Sequence, residues 1–276
     1  MSDYYELYLR FPGFKTRSVT LSYDDGCVED RRMVEILNRY GIKGTFNLNA
    51  GKVTGQNSKV QFEEMEALYR GHEIAAHSLT HPHLRNLDLG GISYQVIRDR
   101  EKLEEVLHRP VEGFAYPYGL RGETDEMVNC LHSCGIRYAR TTEATHGFRL
   151  PSDYLRWNPT CHHGDPELFN LAEEFFKPDD LEHPWRITPR LFYLWGHSYE
   201  FADQWELLER ICQALGQKNE VWYATNGEII DYISAFRALR RSANSKYVYN
   251  PTDLDLYVYV HRKNVLLKKG TITTLE

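Results

Sequence analysis

The sequence predicts an α/β fold, a barrel of seven or eight parallel strands covered by helices. Short β-favouring segments alternate with amphipathic helical segments from residue 18 onward, and parallel strands require such crossover helices. Residues 190–195 form a nearly continuous apolar run, which is typical of a strand buried on both faces. The chain contains neither a Gly-x-Gly-x-x-Gly sequence nor a P-loop, which disfavours a nucleotide-binding sheet.

The first half of the chain contains four strand-helix units. The first strand alternates apolar and small polar side chains and ends at two adjacent carboxylates, Asp24 and Asp25, followed by Gly26. Glycines follow three of the helical segments, as expected at helix C-termini. The predicted strands cover residues 18–24, 44–49, 73–77, 113–118 and 136–140, and the predicted helices cover residues 29–40, 62–70, 92–107 and 124–134.

The second half of the chain begins with a proline-rich region, residues 141–189, and then returns to the same alternation. Its predicted strands cover residues 154–157, 190–195 and 221–224, and its predicted helices cover residues 167–176, 204–215 and 227–239, the last capped by Thr225 or Asn226. Residues 256–260 and 265–268 predict an antiparallel hairpin, with 270–274 as a third strand. We therefore expect a barrel over residues 1–241 and a small C-terminal β appendage over residues 242–276.

Composition limits the classes of partner. A net charge of −6 and a pI near 6.1 give no support for nucleic-acid binding, which needs a basic face. No apolar run approaches the ~20 residues that span a bilayer, and the N-terminus lacks the pattern of a signal peptide, so we expect a cytoplasmic protein without a membrane partner. Five scattered cysteines favour a reducing compartment, and we expect Cys130 and Cys134 to be buried helix residues rather than zinc ligands.

Candidate chemistry lies at the ends of the predicted strands. The carboxyl ends of parallel barrel strands open on one face, where Asp24 and Asp25 can meet His77 and His81, which follow the third strand. One carboxylate and two imidazoles leave coordination positions open on a metal ion, as in catalytic sites. His197 ends the long buried strand on the same face. The polar sequence from Cys161 to Asp165 is expected to be a surface loop, with a contribution to the substrate cleft as the alternative.

Four segments, in order, resemble motifs of the polysaccharide deacetylases, the carbohydrate esterase family 4 with its nodulation-deacetylase-like domain. They are Ser22-Tyr-Asp-Asp-Gly26, His77-Ser-Leu-Thr-His-Pro-His-Leu84, Tyr116-Pro-Tyr-Gly119 and Trp195-Gly-His197, which resemble the first, second, third and fifth motifs. The resemblance runs from about residue 18 to residue 239.

The resemblance implies a deformed (β/α) barrel with a divalent metal, foremost zinc with cobalt, manganese or nickel as alternatives, held by Asp25, His77 and His81. It makes Asp24 the general base that takes a proton from metal-bound water. The backbone N–H of Tyr118 becomes the oxyanion donor, and His197 becomes the general acid for the leaving amine. The implied activity is removal of N-acetyl, or alternatively O-acetyl, groups from an acetylated saccharide.

Two departures from the family pattern concern the groups around Asp24 and His197. Ala115 stands where the family often carries an arginine that orients the base, and Arg140 or Arg156 are the candidates to replace it. The fourth motif is not recognisable, and Arg156-Trp157 is its preferred counterpart, while Tyr116, Pro117 and Trp195 are further orienting or substrate-contacting candidates.

Two other functions remain open at this stage. One is a different amidohydrolase on the same scaffold that acts on a non-sugar C–N bond, because fold does not determine substrate. The other is a non-catalytic glycan-binding barrel, although sugar binding alone would not require the carboxylates and histidines described above. The sequence makes no prediction of oligomeric state.

Overall fold

The structure, a computed structural model, describes residues 6–54, 56–119 and 124–275. Its strands are β1 Tyr8–Arg10, β2 Arg17–Asp24, β3 Gly44–Leu48, β4 Glu73–Ala76, β5 Gly113–Ala115, β6 Tyr138–Arg140, β7 Cys161–His162, β8 Arg190–His197, β9 Val221–Tyr223, β10 Arg240–Arg241, β11 Tyr247–Tyr249, β12 Leu256–Val260, β13 Lys263–Leu267 and β14 Ile272–Thr274. Its α-helices are α1 Asp30–Arg39, α2 Phe62–Leu68, α3 Leu89–Leu107, α4 Asp125–Ser133, α5 Leu168–Phe175, α6 Trp205–Leu215 and α7 Asn226–Arg237.

The main sheet contains eight strands and confirms the predicted fold class. Its order is β6-β5-β4-β3-β2-β8-β7, with β9 also paired to β2, and every pairing is parallel. Along one edge of β2, residues 21–24 pair with β3 and residues 17–19 pair with β9. The described strands therefore form one curved parallel sheet in which β3 and β9 pair with different parts of the same edge of β2. This sheet is the deformed barrel that the resemblance implies.

Strand β2 lies at the centre of this sheet, and all eight of its residues are buried. Helices from both halves of the chain pack their apolar faces on the sheet, and the largest apolar cluster includes Leu21, Phe46 and Phe192. At roughly 25 cal/mol for each Å² of apolar area removed from water, this burial is the main stabilising contribution. The result is a rigid rim where the carboxyl ends of β2, β4, β5 and β8 come together.

Helix caps explain where several helices begin. Asp88 accepts a 2.7 Å hydrogen bond from the N–H of Gly91 at the start of α3, and Thr124 caps α4. Thr225 caps α7 with a capping box that includes Glu228, so Thr225 rather than Asn226 is the cap. Among the described helices, none is both long and apolar enough to cross a bilayer.

The predicted strand at residues 154–157 is wrong. Only an isolated bridge joins Trp157 to Arg140, and the N–H of Leu155 donates to the side chain of Asp153 at 2.9 Å. That turn, two residues after Pro151, bends the backbone before a ladder can extend.

The C-terminal residues form two further three-stranded sheets. The predicted hairpin is present as β12 and β13, and β1 adds to its other edge, so the order is β1-β12-β13. The predicted third strand is present as β14, but it pairs with β11 rather than with the hairpin. The division at residue 241 stays a prediction, and its outer bounds, residues 1 and 276, lie outside the described residues.

Candidate active site

The two adjacent aspartates leave β2 in different directions. Asp24 is the last strand residue and lies in register with His197 at the end of β8. Asp25 has a left-handed backbone, with φ of 78°, and its N–H donates to the carbonyl of Asn47 at 2.9 Å. Gly26 follows with φ of 60°, and a Cβ there would lie 2.7 Å from Leu48, so only glycine completes this turn without strain. The turn separates the two carboxylates into different surroundings.

Asp25, His77 and His81 form one cluster of potential metal ligands, with their ligand atoms within 4.8 Å of one another. The Nε2 atoms of His77 and His81 lie 3.1 Å apart, and Nε2 of His81 lies 3.9 Å from Oδ1 of Asp25. Ligands ~2.0–2.1 Å from a tetrahedral zinc ion lie roughly 3.3 Å apart, close to the observed nitrogen separation. Oδ1 of Asp25 is buried without a hydrogen-bond partner among the described residues. These residues fit a divalent cation.

The protonation of His77 also suits a metal ligand. Its Nδ1 lies 2.7 Å from the carbonyl oxygen of Ala115, which only accepts, so the ring proton lies on Nδ1 and the lone pair on Nε2. Burial lowers the pKa of His77 despite the neighbouring aspartates, and burial together with His77 lowers the pKa of His81 to about 4. Both imidazoles are therefore neutral at neutral pH, the form that binds metals.

Sequence reasoning missed Asp99, a buried carboxylate of α3 that holds the His77 backbone. Its two oxygens accept the N–H groups of His77 at 2.9 Å and of Ala50 at 2.7 Å. Burial raises the pKa of Asp99 to about 7 even though these donors lower it. The signal in the sequence was a charge on the apolar face of α3, between Val96 and Leu103.

Asp24 is a buried carboxylate with a full set of partners. Arg140 pairs with its Oδ2, and the side chain of Asn47 donates to its Oδ1 at 2.8 Å. Burial alone would raise the pKa of Asp24, but Arg140, His77, His197 and the Asn47 hydrogen bond outweigh burial and lower it. Asp24 is thus an ionised base in a site where few waters reach it.

Of the two arginines considered in place of Ala115, Arg140 is the one that pairs with Asp24. Ala115 and Arg140 are register partners on the neighbouring strands β5 and β6. The guanidinium therefore extends from the strand next to the one that carries Ala115. It is fully buried and lies 4.4 Å from the ring centre of Trp195, a cation–π contact. Ala115 keeps this space clear and uses its carbonyl to fix His77.

The structure does not bring Arg156 to this cluster. Its guanidinium pairs at the surface with Asp125 and Asp153, and 30% of its side chain is exposed. Trp157 is buried in the core against Tyr138 and Tyr193. The expected role of Arg156-Trp157 is therefore corrected: Arg156 ends in surface ion pairs, and Trp157 supports the sheet beneath Arg140.

The segment after β5 places Tyr118 beside the metal ligands. The N–H of Gly119 donates to the carbonyl of Tyr116 at 3.0 Å, and Tyr118 has a left-handed φ of 60°. No acceptor for the Tyr118 N–H occurs among the described residues. Its ring is 57% exposed and stacks on His83 at 3.7 Å. Tyr116 and Pro117 are buried and form the base of this turn.

His197 lies on the other side of Asp24. Burial lowers the pKa of its imidazole, but Glu200, Asp24 and Asp25 outweigh burial and raise it. The exposed ring of Tyr199 lies 5.0 Å from the imidazole. The site thus combines an ionised base with a histidine that retains a proton at higher pH than an isolated imidazole.

The segment from Cys161 to Asp165 is not the expected surface loop. Residues 161 and 162 form β7 and pair with β8. The next residue, His163, is buried, with only 5% of it exposed. The N–H of His163 donates to the carbonyl of Trp195 at 2.9 Å. The two histidines of this segment therefore lie beside the end of β8, with His163 buried and His162 30% exposed.

Comparisons with known proteins bear on the family and on the fold. Residues 12–139 match the family model for polysaccharide deacetylase. A curated relative, the uncharacterized protein YlxY of Bacillus subtilis (strain 168), is 34% identical over 88 residues. That match covers 32% of this chain and about a quarter of the relative, 26% of its length.

Two solved structures share the fold at sequence identities that support nothing beyond it. The Xyl-CE4 domain of a multidomain xylanase from the hindgut metagenome of Trinervitermes trinervoides is 17% identical, with a TM-score of 0.52 over 80% of this chain and 92% of that one. A mutant of BA3943, a CE4 family pseudoenzyme from Bacillus anthracis, with restored enzymatic activity is 20% identical, with a TM-score of 0.53 over 81% and 70%. The polysaccharide deacetylase resemblance drawn from the four motifs is therefore confirmed, by the family match of residues 12–139 and by a CE4 fold.

Proposed function

We propose that this protein is a metal-dependent hydrolase that removes acetyl groups from a saccharide, most directly N-acetyl groups. One observation carries the proposal. The ionised, Arg140-paired carboxylate of Asp24 lies 3.8 Å from Nε2 of His77, beside a carboxylate and two neutral imidazoles that fit one cation. A base next to a metal site is the arrangement needed to activate water for acyl transfer.

The proposed ligands are Asp25, His77 and His81. A bound divalent cation would supply Lewis acidity and lower the pKa of water towards ~7. Nitrogen and oxygen ligands suit zinc and also cobalt, manganese or nickel. In this proposal Asp24 accepts the proton of the attacking water, and Arg140 and Asn47 keep the carboxylate ionised and oriented.

The remaining steps are assigned to Tyr118 and His197. The N–H of Tyr118 stabilises negative charge on the acetyl oxygen, an interaction typically worth ~2.7–4 kcal/mol in oxyanion holes. His197 gives a proton to the leaving amine as the C–N bond breaks, which yields acetate and an amino sugar. The exposed rings of Tyr118 and Tyr199 offer apolar faces on which a sugar can stack.

The structure weakens the case for a non-catalytic glycan-binding barrel. The missing arginine at Ala115 is one of the two departures from the family pattern that would favour such a barrel, and Arg140 pairs with Asp24 in its place. Replacing a buried ion pair by apolar residues of similar volume is often neutral or stabilising, so stability alone does not account for the Asp24–Arg140 pair. An amidohydrolase acting on a non-sugar C–N bond would use the same groups, so substrate assays separate it from the main proposal.

The test is acetate release by purified protein loaded with zinc, cobalt or manganese. N-acetylglucosamine oligomers, an O-acetylated xylan and N-acetyl amino acids form the substrate panel, and a chelated sample is the control. We expect acetate from the N-acetyl oligomers, loss on chelation and recovery on metal addition. Turnover confined to the N-acetyl amino acids would favour the other amidohydrolase, and no turnover on any substrate would contradict the enzyme proposal.

A further inference from the structure

A second group of ionisable side chains lies next to the proposed acid. Oε2 of Glu200 lies 3.1 Å from Nε2 of His163, 3.2 Å from Nε2 of His162 and 3.4 Å from Nδ1 of His197. The backbone N–H of His197 also donates to this oxygen at 3.2 Å. We call Glu200, His162, His163 and His197 the Glu200 cluster. Its composition would suit either a second metal site or a group that positions His197.

The hydrogen bond made by His162 decides against metal binding. Nδ1 of His162 accepts the N–H of Gly164 at 3.0 Å, so Nδ1 carries the lone pair and Nε2 carries the ring proton. Nε2 is the nitrogen that faces Glu200, and a protonated nitrogen cannot bind a cation. The contrast is His77, whose Nδ1 donates to a carbonyl and whose Nε2 is free to bind.

His163 lacks the outer hydrogen bond of a metal ligand. Histidines that bind metals almost always donate their second ring N–H to a carboxylate, a carbonyl or water. Nδ1 of His163 is buried without a partner among the described residues. The ring is instead held by packing, stacked on Tyr23 at 5.8 Å and against Phe201 at 4.2 Å.

Charge supports a positioning role. Burial would raise the pKa of Glu200, but the three imidazoles outweigh burial and lower it far below its usual range, so the carboxylate is ionised. The negatively charged groups that face His197 are Glu200, Asp24 and Asp25, and they raise its pKa. His163, when protonated, repels a protonated His197 and acts in the opposite direction.

We infer that Glu200 is a positioning residue that orients His197 by accepting its backbone N–H and by placing a negative charge 3.4 Å from Nδ1, that His162 and His163 hold Glu200 in place, and that the Glu200 cluster is not a second metal site. This inference rests on the proposed role of His197 as the acid. With Nδ1 facing Glu200, Nε2 holds the proton that passes to the leaving nitrogen when the C–N bond breaks. The imidazole is then neutral and keeps its Nδ1 proton beside Glu200. It is protonated again at Nε2 through solvent, which also takes up the proton that Asp24 removed from the attacking water.

The test compares Glu200→Gln with Glu206→Gln in the metal-loaded full chain. Both changes remove one negative charge, and Glu206 is an exposed residue six positions further along the chain. Three quantities are measured: zinc bound per chain, the NMR titration of the His197 ring, and hydrolysis of an N-acetyl sugar and of 4-nitrophenyl acetate. The two substrates differ in their leaving groups: nitrophenolate leaves without being protonated, whereas an amine must gain a proton to leave.

We expect one zinc per chain in all three proteins. Glu200→Gln should lower the pKa of His197 and slow N-acetyl hydrolysis about 10²-fold, the lower end of what a positioned acid contributes, with 4-nitrophenyl acetate hydrolysis little changed. Two zinc ions in the wild type and one in Glu200→Gln would overturn the inference, as would equal losses on both substrates. A wild type that hydrolyses neither substrate would contradict the proposed function, and the His197 titration would still decide whether Glu200 acts on that ring.

Discussion

Replacement of Arg140 by methionine tests how much the buried ion pair with Asp24 contributes to stability and to the base. Both side chains are buried, with 0% of Arg140 and 3% of Asp24 exposed. Removing one partner of such a pair typically costs about 3–5 kcal/mol because the other charge remains buried and uncompensated. At about 2–4 °C for each kcal/mol in a large domain, the melting temperature should fall by about 6–20 °C.

The pH dependence has a definite sign. The folded-state pKa of Asp24 is lowered, so its stabilising contribution is present above the unfolded pKa and is lost as pH falls through the folded pKa. In Arg140→Met this pKa rises, and the variant should be most destabilised relative to wild type at neutral and alkaline pH. On acidification the carboxyl becomes neutral and the difference should shrink. The acidic limb of acetate release should move to higher pH for the same reason.

Urea unfolding at pH 5 and pH 8 measures these differences, with Arg137→Met as the matched control. Arg137 pairs with Glu112 and Asp231 at the surface, with 42% of its side chain exposed, and such pairs contribute about 0–1 kcal/mol. The double variant Arg140→Met/Asp24→Asn should recover much of the lost stability, since no buried charge remains. A loss no larger than that of Arg137→Met, or no recovery in the double variant, would refute the reasoning.

Two further variants test the metal ligands and their support. His81→Ala should lose the stabilisation that zinc gives the wild type, which is about 2.7 kcal/mol when zinc is at 100 times its Kd. A thermal melt with and without zinc measures it. The control His132→Ala, at an exposed position, should keep the stabilisation. Equal zinc stabilisation in His81→Ala would mean that this histidine is not a ligand. Asp99→Asn tests a carboxyl whose folded pKa is raised to about 7, so the wild type loses stability relative to the variant as pH rises from about 4 to 7, by up to about 4 kcal/mol. Urea unfolding across that range measures the difference, and a pH-independent difference would contradict the assigned ionisation of Asp99.

The elements that sequence predicted well are those with local signals. β2 was readable from its alternation of apolar and small polar residues and β8 from its nearly continuous apolar run, and Asp24 and His197 mark the ends of these strands. The cap of α7 was readable to within one residue, Thr225 or Asn226, because capping residues act locally, and the capping box of the structure selects Thr225. His77 and His81 were readable as a pair because their spacing and their position after β4 are both visible in the sequence.

The residues that the sequence missed, or named only as one of two candidates, depend on contacts across the sheet. Arg140 lies 116 positions from Asp24, and nothing local distinguished it from Arg156. The register of β5 against β6, which places Arg140 beside Ala115, is a tertiary property. Glu200 resembled an ordinary loop carboxylate because the histidines that surround it come from another strand. β1 was missed because a three-residue edge strand has too few residues for a periodic pattern.

The most direct test of the central claim, that Asp24 is the base and Asp25, His77 and His81 hold the metal, combines metal content with acetate release in Asp24→Asn. Asn retains the shape of Asp24 but cannot take the proton, and Asp253→Asn, an exposed position, is the control. We predict that Asp24→Asn binds one metal ion per chain, as the wild type does, and releases no measurable acetate. Acetate release at the wild-type rate in Asp24→Asn, or an absence of bound metal in the wild type, would contradict the account.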